Sequence, residues 1–314
     1  MSTMIPEPIP AVMIEDDVEP DRPTRPRWGD GGNRRRGAMG TAGIGSRPGF
    51  LIYGLLAAFI IGGAYPLWWS VVVGSGTNAT RGETLPLIPG GNFLTNAAKV
   101  LDAIPFWLAL GNSIIISSVI TISVVTFSTL AGYAFAKLRF RGRDGLMVFV
   151  IATMAIPTQL GIIPLFMVMR EFGWTGTIGA VIVPTLVTAF GVFFMRQYLV
   201  DVIPDELIEA ARVDGANQIR TFLNVALPAA RPAMAILGLF TFMMAWTDYL
   251  WPLIVLSPTN PTLQTALSQL QSGYYVDYSI VLTGAVLATI PLLVLFVVAG
   301  KQLISGIMQG AVKG

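Results

Sequence analysis

The stretch Pro204-Asp205-Glu206-Leu207-Ile208-Glu209-Ala210-Ala211-Arg212-Val213-Asp214-Gly215-Ala216 is a polar, acid-rich insert between two long apolar blocks, Ile178 to Tyr198 and Pro232 to Leu256. A link between two membrane helices can be far shorter than the loop spanning 199–231. Its grammar is that of two short helices. Pro204 and the acids after it suit a helix start, where a missing N–H is harmless and the dipole favours negative charge. Gly215 suits a stop, because it takes the left-handed conformation without a Cβ clash. Leu207, Ala210 and Ala211 share one side by 3–4 spacing. Two adjacent alanines leave a narrow surface that can seat in a groove of another protein, with Glu206 and Glu209 placed to pair with basic groups there. A second helix is expected from Ala216 to Ala226, with Ile219, Phe222 and Leu223 on one face.

Outward from this loop the chain is apolar in blocks. Of 314 residues, 54% are hydrophobic and 12% charged, against about 25% charged in soluble domains. The mean hydropathy of +0.67 is too apolar for a water-solvated surface, so lipid is the expected solvent. Besides the two blocks named, the runs Phe50 to Val73, Leu108 to Ala136, Leu146 to Met169 and Ser279 to Ile304 are long enough to span. A crossing needs about 20 apolar residues. Backbone polar groups must be paired inside hydrocarbon, so each run is expected to be helical. The fold class is an all-α membrane protein with six transmembrane helices. Pro66, Pro157, Pro164, Pro184, Pro252 and Pro291 predict kinks, since each removes a donor from its helical ladder.

Charge sets the orientation. Seventeen of the 20 Lys and Arg fall in the N-terminal tail, around Lys137 to Arg143, from Arg196 to Arg231, or at the C-terminus. Only Arg81, Lys99 and Arg170 fall on the other side. That alternation places both termini and the 199–231 loop in the cytoplasm. The two longer external connections, about 34 and about 22 residues, are too short for independent domains.

Residues 1–46 are rich in Pro and Gly, with Glu15, Asp16, Asp17, Glu19 and a basic cluster at Arg34, Arg35 and Arg36. Such a segment reads as a disordered cytoplasmic tail, and it lacks the short apolar core of a signal peptide. The transmembrane body then runs over 47–314, with a C-terminal cytoplasmic tail at 305–314.

There is no cysteine and no histidine. Thiol chemistry, disulfides and imidazole catalysis or ligation are excluded. A membrane-embedded enzyme would need paired carboxylates in the bilayer, and only Asp248 lies well inside a predicted span. No metal site, no cofactor and no nucleic-acid partner is expected, and no G-x-x-x-x-G-K-[ST] phosphate loop is present. Asp248 sits among Trp246, Tyr249 and Trp251. Aromatic faces beside a carboxylate suit a sugar on a substrate path, and an intramembrane acid is a functional candidate by default. Equally, Asp248 can cap or pair within the bundle while Trp246 and Trp251 form an interfacial belt. Asn112, Ser113, Ser117 and Ser118 read as helix-packing polars.

Glu209-Ala210-Ala211, three residues, Gly215, nine residues, Val225, one residue, Leu227-Pro228 resembles the E-A-A motif of binding-protein-dependent ABC transporter permeases, E-A-A-x3-G-x9-I-x-L-P. Val225 stands where the pattern has Ile. The resemblance covers nearly everything after residue 50. It includes Gly132-Tyr133-Ala134-Phe135-Ala136-Lys137-Leu138-Arg139-Phe140-Arg141-Gly142, the prolines Pro157 and Pro164, and Arg196-Gln197-Tyr198-Leu199. Trp246-Thr247-Asp248-Tyr249-Leu250-Trp251-Pro252 is similar to the sugar-uptake branch, which often has Asn at the place of Thr247. Gly306 to Gly314 resembles the end of the maltose-type second membrane subunit.

The resemblance implies a type I ABC importer permease fold and a heterodimer with a second, related permease. It implies two cytoplasmic ATPase subunits that bind ATP–Mg, and an extracellular solute-binding protein that delivers a sugar or oligosaccharide. It makes the loop a coupling helix that contacts the ATPase through Glu206, Glu209, Ala210, Ala211, Asp214, Gly215, Leu227 and Pro228, with Glu209 in the contact and Gly215 at the turn. A glycerol phosphate permease is the alternative. A gradient-driven secondary transporter would leave the loop unexplained and offers only one intramembrane acid.

Overall fold

Helices are the only elements along the described residues, as hydrocarbon demands of a chain that must pair its own backbone. A computed structural model describes residues 49–77 and 88–311, so the expectations for residues 1–46, for residues 78–87 and for the last three residues lie outside it. Residues 49–55 open the first helix, and the packed unit begins at Leu56.

In chain order the elements are α1 (Phe50–Gly74), α2 (Phe93–Ala103), α3 (Phe106–Lys137), α4 (Arg143–Met154), α5 (Ile162–Glu171), α6 (Ile178–Ile182), α7 (Ala189–Val202), α8 (Asp205–Val213), α9 (Gln218–Thr221), α10 (Leu227–Thr247), α11 (Leu250–Val255), α12 (Leu263–Gln269) and α13 (Tyr278–Ala311). Five helical stretches are long and apolar enough to cross a membrane, or six if α4 and the 158–171 segment count as one span.

Three of the expected spans are less regular than their sequence implies. The third is broken: α4 and the Thr158–Glu171 segment meet at 88° around Pro157, where the ring removes a donor and pushes the preceding residue out of the helical region. The fourth carries a 3-10 turn at Val183–Thr185 over Pro184 before α7 resumes. The fifth stops at Thr247, and Asp248 takes an extended conformation before the short α11. The sixth runs past the expected end at Ile304 to Ala311 as one helix.

The second helix of the 199–231 loop also differs from expectation. Only α9 is α-helical there; Phe222–Ala226 is a π-helical turn that leads directly into α10. Pro228, in the first turn of α10, has no N–H for the carbonyl four residues back. Widening the ladder just before it absorbs that loss without ending the rod.

The core lies between α3, α7 and α10, where Ile116, Ile120 and Val124 of α3, Met195 and Leu199 of α7 and Leu237 of α10 belong to one buried cluster. Small residues let α3 and α7 approach closely. A Cβ on Gly132 would stand 2.7 Å from Met195 Cβ and 2.8 Å from the Arg196 amide nitrogen. A second cluster at the opposite end gathers Val100, Phe106, Trp246, Leu263 and Ala288 from α2, α3, α10, α12 and α13. There Asn96 donates to the carbonyls of Gly74 and Gly76, both at 2.9 Å, and Thr283 donates to Gly74 at 2.8 Å. Two elements, α2 and α13, thus satisfy carbonyls at and just past the end of α1.

Candidate functional site

The acid-rich insert forms an elbow held at its start, middle and end. Asp205 and Glu206 lie in the first turn of α8 and Arg212 in the last, both complementary to the helix dipole. Lys137 Nζ, from the last residue of α3, donates to Asp205 Oδ1 at 2.7 Å. The two side chains differ sharply in exposure, 6% for Lys137 and 77% for Asp205. The hydrogen bond from Lys137, then its charge, holds the Asp205 carboxyl below the usual carboxylate range.

Ile208, only 4% exposed, is the apolar anchor of α8, in one cluster with Leu199, Ile203, Ala226 and Ala230. Leu207 and Ala210, read in the sequence as part of a side that can seat in a groove of another protein, are exposed, and Ala211 is half-buried.

Past α8, the Ala216 amide donates to the Ala211 carbonyl at 2.9 Å and the Gly215 amide to the Arg212 carbonyl at 3.0 Å. This six-to-one and five-to-two pair is a Schellman cap, which needs a left-handed residue at the position of Gly215; its φ is +75°. Asn217 Oδ1 then accepts from the Arg220 amide at 2.8 Å and caps α9. Phe222 packs on Tyr133 of α3 with ring centroids 5.3 Å apart. Phe222 therefore leaves the face on which it was expected with Ile219 and Leu223, which stay exposed.

What remains on the outside of the elbow is a mixed surface. Glu206, Glu209, Ala210 and Asp214 are exposed, and Val213 is 88% exposed. Glu206, Ala210 and Val213 follow 4- and 3-residue steps and so line one face. Among the described residues neither Glu206 nor Glu209 is ion-paired. Leu227 is half-buried and Pro228 exposed immediately after the π-helical turn, so the motif's last pair belongs to the rod and not to the elbow's face. Lys137, Ile208 and Asn217 were missed in the sequence. An Asn just before a helix is a cap signal, but the reach from Lys137 to Asp205 has no local signature.

The other candidate cluster is not one surface. Trp246, 1% exposed, donates its indole N–H to the Ala288 carbonyl at 3.3 Å and stacks on Phe242. Trp251, 7% exposed, donates to the Ala180 carbonyl at 3.1 Å. Both indoles are packed inside the chain, so neither forms an interfacial belt. Asp248 is half-buried and extended in the break between α10 and α11, next to the start of α11. Tyr249 alone of the three aromatics is exposed. In α3, Asn112 donates to Asn260 and to the Pro261 carbonyl, and Ser113 accepts from the Leu263 amide. These two polars tie α3 to the α11–α12 connection.

Residues 124–307 match the model of the family described as "Binding-protein-dependent transport system inner membrane component". The chain belongs to that permease family. The permease is 36% identical over 236 residues to the arabinooligosaccharides transport system permease protein AraQ of Halalkalibacterium halodurans, covering 74% of this chain and 84% of that one. It is 34% identical over 261 residues to the lactose transport system permease protein LacG of Rhizobium radiobacter, covering 82% and 93%. A more distant relative is the sn-glycerol-3-phosphate transport system permease protein UgpE of Salmonella typhi, 30% identical over 62% of this chain and 72% of that one. Among solved structures, a bacterial ABC transporter involved in the import of the acidic polysaccharide alginate superposes with a TM-score of 0.66 at 26% identity, over 80% of this chain and 94% of that chain. The permease is a multi-pass membrane protein with the fold of an ABC importer permease.

Proposed function

We propose that the permease is a membrane subunit of an ATP-driven importer that carries a sugar or oligosaccharide delivered by an extracellular solute-binding protein. The observation that carries this reading is the braced elbow of α8, exposed along its acidic face and held by the Lys137–Asp205 contact, the buried Ile208 and the Gly215 cap. A helix that rigid transmits displacement from whatever seats it. In this reading α8 and the 199–231 loop face the cytoplasm of a bacterial or archaeal cell, as do both termini. Two ATPase subunits bind ATP–Mg, and one receives α8. A second, related permease completes the membrane pathway. ATP binding closes the ATPase pair, and the elbow carries that motion into α3 and α10, shifting the population between inward-facing and outward-facing states.

Glu206 and Glu209 are the polar contacts in this reading, with Ala210 and Val213 as the apolar ones. Ala211, Asp214 and Gly215 shape the turn, and Leu227 and Pro228 set the exit into α10. The substrate path narrows to Asp248 and Tyr249, since Trp246 and Trp251 are buried. The sugar assignment is supported by the arabinooligosaccharide and lactose relatives. Glycerol phosphate is the second reading, supported by UgpE.

The test is ATP hydrolysis and uptake by the assembled transporter in proteoliposomes, with candidate solutes presented by the cognate binding protein. Glu209→Lys is expected to leave insertion intact and abolish coupled uptake. Unchanged uptake in that variant overturns the coupling role. Stimulation by glycerol phosphate and by no oligosaccharide overturns the sugar assignment alone.

A further inference from the structure

The turn between α3 and α4 concentrates charge at a depth where lipid headgroups lie. Lys137, Arg139, Arg141 and Arg143 occupy seven residues, between the end of one membrane-length helix and the start of the next apolar segment. Lys137 is engaged with Asp205. Arg139 and Arg143, with Phe140, Gly142, Asp144 and Gly145, line an open cavity of about 380 Å³. One carboxylate reaches it: Asp144 Oδ1 accepts from Arg143 Nε at 3.0 Å. That pair leaves the terminal nitrogens of Arg143 outside the contact. Among the described residues Arg139 and Arg141 have no ion-pair partner, although the charge of Arg139 is felt at Asp205.

The apolar surroundings fit the same occupant. Phe140, Leu146, Val148 and Phe149 are exposed along the loop and the first turns of α4, a surface on which acyl chains can lie while a headgroup sits among the guanidinium groups. Two guanidinium forks around one cavity match the oxygens of a phosphodiester. Basic pockets beside membrane helices on the cytoplasmic side take anionic headgroups.

We infer that the cavity of the α3–α4 turn binds the phosphate headgroup of an anionic lipid, of the phosphatidylglycerol kind, through Arg139 and Arg143. Arg141 adds charge from the same turn. The site lies next to the Lys137–Asp205 ion pair, so a lipid seated there borders the first residue of the coupling elbow. The inference rests on the membrane reading and on the proposed orientation, but not on the identity of the transported solute.

The experiment measures lipids retained by the full chain in the assembled transporter, by native mass spectrometry after exchange into defined phosphatidylglycerol and phosphatidylcholine mixtures. Phosphatidylglycerol is expected to be enriched about five-fold or more over phosphatidylcholine, with the preference weakening as salt rises. The variant R139K/R143K keeps the positive charges that orient the chain but lacks the planar forks, so it inserts normally and its enrichment falls to within about two-fold. Retention of the wild-type preference in that variant overturns the site, as does equal retention of both lipids. Inorganic phosphate that displaces the lipid at equal concentration shows a general anion site and overturns the lipid assignment. Lipid bound to the isolated permease but excluded from the assembly shows that a protein partner fills the cavity, and also overturns it. None of these outcomes depends on whether a sugar is transported.

Discussion

Lys137 and Asp205 show how one ion pair can orient an element without stabilising the whole molecule much. Asp205 is exposed, so solvent screens its attraction to Lys137. Lys137 is nearly enclosed, and its ammonium depends on that partner. Asp205→Ala is therefore expected to harm the elbow more than Lys137→Met, and the double variant less than the sum of the two. Amide hydrogen exchange across α8 measures this, and strict additivity would refute the coupling. The pH response follows from the lowered carboxyl. A group with a depressed folded pKa contributes above its unfolded value, about 3.9, and loses that contribution as pH falls through the folded value. Protection of α8 should be flat near neutrality and should drop only in acid below about pH 4. A loss between pH 6 and 8 would assign the effect to another group.

Asp248, Trp246 and Trp251 make a second case at the same scale. The indoles fill the core and bond backbone carbonyls, so truncating either creates a cavity. Trp251→Ala is expected to cost about 3–5 kcal/mol and to lower the yield of folded protein. Trp251→Phe should keep the uptake KM near the wild-type value. A KM that rises severalfold with stability unchanged would return the indole to the substrate path.

For single elements, the elbow and the α3–α7 seam carry the sharpest expectations. Gly215 sits at φ +75° with open space around its Cα. Gly215→Ala is expected to cost about 1–2 kcal/mol through backbone strain alone. Ile208→Ala should cost about 2–5 kcal/mol, because it empties the one buried apolar position of α8. Coupled uptake in both variants should fall while the rest of the fold keeps its thermal midpoint. Gly132→Ala differs in kind: its Cβ would meet Met195 Cβ and main chain at 2.7–2.9 Å, and main chain cannot turn aside. That variant should lower the thermal midpoint of the purified protein without specifically affecting coupling.

Across the molecule, exposed apolar surface and exposed charge are segregated by depth. Phe59, Ile61, Phe149, Ile163 and Val297 are exposed on helix faces, where lipid or a second permease is the solvent. The elbow and the α3–α4 turn lie together at one end, linked by the Lys137–Asp205 contact. The proposed transport cycle uses that link, because motion of α8 reaches α3 through the ion pair and α10 through the continuous π-helical turn. If α10 is the path, Pro228→Ala should straighten the ladder before it and alter the ratio of ATP hydrolysed to solute moved. An unchanged ratio would confine the transmission to α3.

Sequence by itself determined the all-helical membrane class, most of the spans and the elbow with its glycine stop. These depend on local quantities: twenty-residue apolar runs, proline and glycine chemistry, and the spacing of one motif. Tertiary structure decided which side of each helix is buried. Ile208 anchors α8, Phe222 leaves its expected face for Tyr133, and the tryptophans around Asp248 turn inward. In a chain where more than half the residues are hydrophobic, apolar character cannot distinguish a neighbour helix from lipid. Only the packing of α3, α7 and α10 does that. The same holds for Lys137 and Asp205, which are 68 positions apart and meet because two helices end at the same depth.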